Sequence, residues 1–255
     1  VIGAGTGFSL PIGVAVGKDD MLYVANRVWP RITKTTVDQE FIKEFGRGTP
    51  EMRAPFPSRH MWLTAIGLDK DENVYITDEW HNAVTVFNSD GEMLKHWGEA
   101  GEGEGKLNGP SGMVFDADDN IWIVDNGSDM AVKLSPEGRV LLVLGRRRES
   151  VAALHPRPPD PPGSPPRPAR PGIFNEPTDI AFDPAGNIYI SDGYRNSRVA
   201  KFDKDGHWVA SWGEPGSEPG QFRLPHGIAA DADGNIYSGE WLVGGRYTKL
   251  AKVRV

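Results

Sequence analysis

Four short apolar runs end in a carboxylate: Asp78, Asp125, Asp192 and Glu240. A carboxylate at the end of a run has two uses. It accepts backbone N–H groups of the following turn, or it binds a cation or handles a proton. Bulky groups stand beside them, Trp80-His81 after Asp78, Tyr194 after Asp192-Gly193, and Trp241 after Glu240. His226 leads into another apolar run, and His60 lies shortly before a further one. Histidine and tyrosine supply acid–base groups or metal ligands, and aromatic rings supply stacking faces. A single histidine also serves as a hydrogen-bonded structural residue, so each chemical reading stands beside a structural one. No nucleophile elbow, P-loop or HExxH pattern is present. The run Gly98-Glu-Ala-Gly-Glu-Gly-Glu-Gly105 is acidic and precedes no helical pattern, so it reads as a linker rather than a phosphate cradle.

These residues recur at equivalent places because the chain repeats. The clearest copy is EPTDIAFDPAGNIYISDGYRNSRVAKFDKDGHWVASWG, from Glu176 to Gly213; others begin at Leu10, Leu63, Gly109 and Arg223. Each complete copy holds four runs, in the fourth copy Ile180 to Phe182, Ile188 to Ser191, Arg198 to Phe202 and Trp208 to Trp212. Val, Ile, Tyr, Phe and Trp in short runs predict strands. Asp183-Pro-Ala-Gly-Asn187 and Asp203-Lys-Asp-Gly206 predict hairpin turns between them. A four-stranded sheet cannot bury both faces alone, so such repeats stack, and radial stacking gives an all-β propeller.

The repeats predict one domain over residues 1–255, with five blades visible and six the alternative count. The last repeat stops at its third strand, and Val1 to Pro11 resembles a repeat's end, so the N-terminal strand is expected to close the ring. Loops before the inner strands and after the second strands then crowd one mouth of the channel, the default ligand site. They include Asn26-Arg27, Leu63-Thr64, Pro110-Ser111 and Pro225-His226. Residues 146–173 are proline-rich and poor in strand formers, which predicts an irregular insertion between blades three and four.

A net charge of −7 disfavours nucleic acid and anionic membranes as partners. The absence of cysteine excludes disulfides, thiolate metal sites and cysteine nucleophiles. No apolar run is long enough to span a membrane as a helix. The compartment is not legible; a soluble protein is expected, and residue 1 being Val fits an export signal already removed.

The pattern P-x-x-I-A-x-D-x-x-G-N-I-Y-x-x-D, followed by x-x-F-x-x-D-G and W-G, resembles the NHL repeat. Blades four and five are similar to peptidyl-α-hydroxyglycine α-amidating lyase in Glu176-Pro-Thr-Asp179, Ser191-Asp-Gly-Tyr-Arg-Asn-Ser-Arg198, Trp212-Gly-Glu214, Gly220-Gln-Phe222 and Pro225-His226. The resemblance implies a lyase that leaves an amide and glyoxylate, with a channel zinc on three histidines, a catalytic tyrosine and arginine, and a structural calcium. By position it makes Tyr194 the catalytic residue and His226 a zinc ligand; further ligands would have to be recruited from His60, His81 or His155, which do not align, His60 being the candidate whose loop could reach the same mouth. It places another ligand near Ile173 and the third at Ile12, Thr64 or Ser111, none of them histidine, and the family's Asp-Arg pair falls on Glu240-Trp241.

Two functions follow. The first is an NHL propeller binding scaffold for a protein, peptide or small-molecule ligand, with Trp80, His81, Asp192, Arg198, Glu240 and Trp241 as ligand contacts. The alternative is a metal-dependent lyase or hydrolase of the amidating-lyase type using zinc or calcium.

Overall fold

The computed structural model describes residues 8–27, 30–46, 61–101, 103, 105–146 and 170–251. The expected N-terminal closing strand, His60 and most of the proline-rich insertion lie outside these residues. The chain divides into two compact units, residues 1–123 with 134–140 and residues 124–133 with 141–255.

Each repeat folds as its own sheet, with strands in chain order. The first sheet is β1 (Pro11–Val16), β2 (Met21–Asn26), β3 (Arg31–Thr36) and β4 (Phe41–Phe45). The second is β5 (Leu63–Leu68), β6 (Val74–Asp78), β7 (Ala83–Phe87) and β8 (Met93–Trp97). The third is β9 (Pro110–Phe115), β10 (Ile121–Asp125), β11 (Met130–Leu134) and β12 (Val140–Gly145). The fourth is β13 (Asp179–Phe182), β14 (Ile188–Asp192), β15 (Arg198–Phe202) and β16 (Trp208–Trp212). The fifth has β17 (Pro225–Ala230), β18 (Ile236–Glu240) and β19 (Tyr247–Leu250) among the described residues. The fold class is all-β, with five blades of the NHL-type β-propeller. The only helical turns among the described residues are two three-residue 3₁₀ segments, Lys18–Asp20 and Asn126–Ser128.

The turn chemistry explains why the motif reads D-x-x-G-N-I-Y. Asp183 Oδ1 accepts the N–H of Asn187 at 3.0 Å, and its Oδ2 accepts Asn187 Nδ2 at 2.8 Å and the Tyr189 hydroxyl at 3.1 Å. Asp231 does the same for Asn235 and Tyr237, while Asp116 takes Asn120 and the indole N–H of Trp122. One carboxylate thus closes the hairpin and fixes the first aromatic of the following strand. The side-chain bond from Asn235, with the backbone N–H groups and Tyr237, holds the Asp231 carboxyl at about 2 against the opposing effect of burial.

Apolar packing follows the strand alternation. In the first unit Tyr23, Ile32, Phe45, Leu63, Ile66, Val74, Ile76 and Phe87 share one buried cluster. In the second, Ala181, Tyr189, Val199, Phe222, Ile228 and Ile236 share another.

The closing W-G of the repeat has a steric cause. Gly213 has φ +105°, and a Cβ there would meet Phe222 Cδ2 at 2.3 Å and Ser197 O at 2.9 Å. Gly213→Ala should therefore cost on the order of 3 kcal/mol and lower Tm by roughly 6 °C or more in thermal denaturation. An unchanged Tm would show that the outermost strand does not need this close approach.

Candidate functional site

In four blades the residue that ends the second strand ties down the segment that approaches the inner strand. Asn26 Oδ1 accepts the N–H of Ser9 at 3.0 Å, and Asp78 Oδ1 accepts that of Trp62 at 3.1 Å. Asp192 Oδ1 accepts the N–H of Asn175 at 2.8 Å, and Glu240 Oε1 that of Arg223 at 2.9 Å. The donor in each case lies just before the inner strand of the same blade. The side chain therefore ties the segment approaching the inner strand to the end of the second strand, and the loops carrying the candidate residues start from that tie.

In the second unit, Asp192 and Arg198 form a buried pair, Arg198 Nε donating to Asp192 Oδ2 at 2.9 Å. Asn196 Nδ2 donates to the same oxygen at 2.7 Å. Burial raises the Asp192 pKa, against the pull of the Asn175 N–H, Asn196 and Arg198. Arg198 also donates through one terminal nitrogen to the carbonyls of Arg170 and Ile173, at 3.0 and 2.8 Å. The pair thus anchors the chain where it returns from the proline-rich insertion. A buried pair of this kind fixes geometry, and removing one partner strands the other charge.

Three other candidates come together in this unit. The rings of Tyr194 and His226 meet edge to face with centroids 5.8 Å apart, and Tyr194 and Trp241 do so at 6.0 Å. His226 and Trp241 are 5.7 Å apart, tilted by 38°. Tyr194 and His226 are half-buried, whereas Trp241 is 58% exposed. The backbone at His226 and just beyond it is held from blade four. Thr178 Oγ1 lies 3.0 Å from His226 O, and the Ile228 N–H donates to Asp179 Oδ2 at 3.0 Å. A Cβ on Gly193 would meet Pro225 O at 1.9 Å, so only glycine permits this approach of the Tyr194 loop to the His226 strand.

Glu240, next to Trp241, is bound on both oxygens. Arg246 reaches Oε1 at 2.8 Å, and Arg223 reaches Oε2 at 3.4 Å. Its lattice, like that of Asp192, joins an arginine six residues on with a backbone N–H seventeen residues back. In the first unit, His81 Nδ1 is 2.6 Å from Asp78 Oδ2, and both side chains are buried. Trp80 is exposed at 38%, and its N–H donates to Asp78 Oδ1 at 3.0 Å.

Four groups escaped the sequence reading. Asp179 is half-buried, and burial pushes its carboxyl up to about 6 against the bonds from Ile228 and Ile180. Arg223 and Arg246 reach Glu240, and Trp62 stacks on Trp80. The P-T-D text of the repeat held the signal for Asp179, but nothing in the spacing marked the others as partners.

Among the described residues, the donor set near His226 does not fit a three-ligand zinc centre. Among the described residues no three His, Cys, Asp or Glu side chains converge as a metal site, whereas zinc needs three or four protein ligands. The rings packed on His226 are Tyr194 and Trp241, Ile173 is an apolar exposed residue, and Thr64 Oγ1 is engaged with Pro110 O at 2.7 Å.

The Glu240 lattice carries a pH dependence. The Arg246 side chain, with the N–H groups of Arg223 and Arg246, holds the Glu240 carboxyl at about 2 against burial, compared with 4.5 for an ordinary glutamate. A depressed acid pKa adds stability that is complete above about 4.5 and lost as pH falls towards about 2. Glu240→Gln should lower Tm at neutral pH by about 3–6 °C, as loss of about 1.5 kcal/mol of charge-assisted bonding does in a chain of this size. Its Tm should also fall less steeply than wild type between pH 4.5 and 2. Parallel curves for the two proteins would remove Glu240 as the acid-labile group.

Comparison with known proteins agrees with this architecture. The NHL repeat family profile matches residues 174–202. Peptidylglycine alpha-amidating monooxygenase of Rattus norvegicus is 36% identical over 111 residues, 42% of this chain and 10% of that protein. Peptidyl-alpha-hydroxyglycine alpha-amidating lyase 2 of Drosophila melanogaster is 27% identical over 156 residues, 60% of this chain and 30% of that protein. The chain thus matches about a tenth to a third of the length of these relatives. The crystal structure of virginiamycin B lyase from Staphylococcus aureus superposes with a TM-score of 0.60 at 13% identity, covering 95% of this chain and 70% of that one. At that identity it shows the fold alone. With repeat chemistry, sheet order and relatives in agreement, the chain is a β-propeller of five blades that carries an NHL repeat at residues 174–202 and resembles the peptidyl-α-hydroxyglycine α-amidating lyases.

Proposed function

We propose that residues 1–255 act as one NHL-type β-propeller domain serving as a binding scaffold, taking a peptide or small ligand on the cluster of Tyr194, His226 and Trp241. The observation that carries this reading is the mutual contact of the three rings, all within about 6 Å, with Trp241 left open to solvent. Aromatic groups held rigidly at one place lose little freedom on binding, and such residues dominate binding energies. Asp192 and Glu240 support the cluster rather than touch the ligand, since their carboxylate oxygens are engaged by the chain itself, and Arg198 does so through its buried pair with Asp192. His81, paired with Asp78, has the same supporting part in the first unit.

The lyase alternative is favoured by the relatives and by the position of Tyr194 beside His226. In that reading Tyr194 would handle a proton at the reacting carbon, and His226 would need ligands beyond those described. The two readings separate cleanly. A random heptapeptide library selected on the protein, with counter-selection on Trp241→Ala, should enrich peptides that bind wild type and lose about thirty-fold or more on the variant. A tripeptide ending in α-hydroxyglycine should release no glyoxylate above background. Failure to enrich any Trp241-dependent peptide would overturn the scaffold reading. Glyoxylate release together with stoichiometric zinc, both lost in His226→Ala, would replace it with the lyase.

A further inference from the structure

The first unit carries a separate column of planar groups. Trp62 and Trp80 stack with ring centroids 4.7 Å apart and planes 8° from parallel. The central guanidinium carbon of Arg27 lies 4.3 Å from the Trp62 centroid. Two planar groups cannot share one face of an indole at those separations. Arg27 and Trp80 therefore take opposite faces of Trp62, and Trp80 ends the column with 38% of its surface exposed.

This column is locked by its surroundings. A single oxygen, Asp78 Oδ1, accepts the backbone N–H of Trp62 at 3.1 Å and that of Trp80 at 3.0 Å, so one carboxylate holds together the two backbone positions from which the indoles stack. The other oxygen of Asp78 is 2.6 Å from His81 Nδ1, which fixes the carboxylate in turn. Arg27 Nε donates to Leu63 O at 2.9 Å, and the Glu79 N–H to Trp62 O at 3.0 Å. A solvent-facing tryptophan normally samples several rotamers, and binding must halt that motion. Here stacking and backbone ties have already halted it, which is the condition for a preorganised platform.

The charge order of the column selects what it binds. A cation on one face of an aromatic system draws π density towards itself. Drawn through Trp62, that density leaves the open face of Trp80 relatively electron-poor. Such a face prefers an electron-rich ring in offset stacking over an aliphatic surface of equal area. We propose that the exposed face of Trp80, backed by Trp62 and Arg27, binds the phenol or indole ring of a tyrosine or tryptophan side chain on a peptide partner. This site shares no residue with the Tyr194 cluster, and its failure would leave the reading of that cluster standing.

The test is a titration of the native protein with N-acetyl-tyrosinamide and N-acetyl-tryptophanamide, read from the indole N–H resonances. Trp80 is assigned by the signal missing in Trp80→Ala. Saturable shifts are expected at the Trp80 and Trp62 signals, with affinity about ten-fold lower in Trp80→Ala. Trp80 is exposed, and an otherwise preserved amide spectrum verifies that the variant is folded. N-acetyl-cyclohexylalaninamide, which matches the bulk but lacks π electrons, should bind several-fold more weakly. Arg27→Gln should weaken the tyrosinamide affinity about three-fold while leaving the cyclohexyl analogue unchanged. Absence of shifts at Trp80, equal affinity in Trp80→Ala, or equal binding of the cyclohexyl analogue would each overturn the proposal. So would a methyl glucoside shifting Trp80 where the aromatic amides do not, since that marks a sugar platform.

Discussion

The functional loops depend on one hydrogen bond repeated in different chemical forms. The side chain ending the second strand accepts the N–H of the residue approaching the inner strand of the same blade. Asparagine does it at position 26, aspartate at 78 and 192, and glutamate at 240. All three side chains present an acceptor oxygen at the end of a strand, where loop N–H groups have no ladder partner. The bond converts a loose crossing between two strands into a fixed corner. Trp80, Tyr194 and Trp241 begin within two residues of such corners.

Where a blade needs more than the single tie, the neighbours differ. Asp78 adds His81, Asp192 adds Asn196 and Arg198, and Glu240 adds Arg223 and Arg246. These additions let one repeat plan carry different surroundings. At Asp78 the extra bond holds His81 below the turn that carries Trp80, and at Asp192 the extra bonds capture the chain returning from the insertion. At Glu240 they build a lattice that keeps the carboxylate charged beside the exposed Trp241.

The fold was legible because its signals are local. The strands of the fourth repeat lie within one residue of the apolar runs that predicted them, and Asp183 to Asn187 turns as its composition demands. Asp192 and Glu240 as acceptors followed from their place at strand ends. Contacts between blades were not legible, because spacing within a repeat fixes which face a residue takes but not which ring in the next blade it meets. The meeting of Tyr194, His226 and Trp241 depends on Gly193 allowing a close approach to Pro225. Arg27 against Trp62 and the bond from Ile228 to Asp179 depend likewise on packing between sheets, and Trp62 against Trp80 on a closure within the second sheet.

Amide hydrogen exchange at Trp62, Asn175 and Arg223 in the native protein tests this account most directly. All three amides lie outside the strand ladders, and each donates to one strand-ending side chain. They should exchange as slowly as amides within the ladders of β6, β14 and β18, because opening them requires breaking the corner. Exchange at the rate of an unstructured chain would mean that the corners do not hold, and that the positions of the loops have another cause.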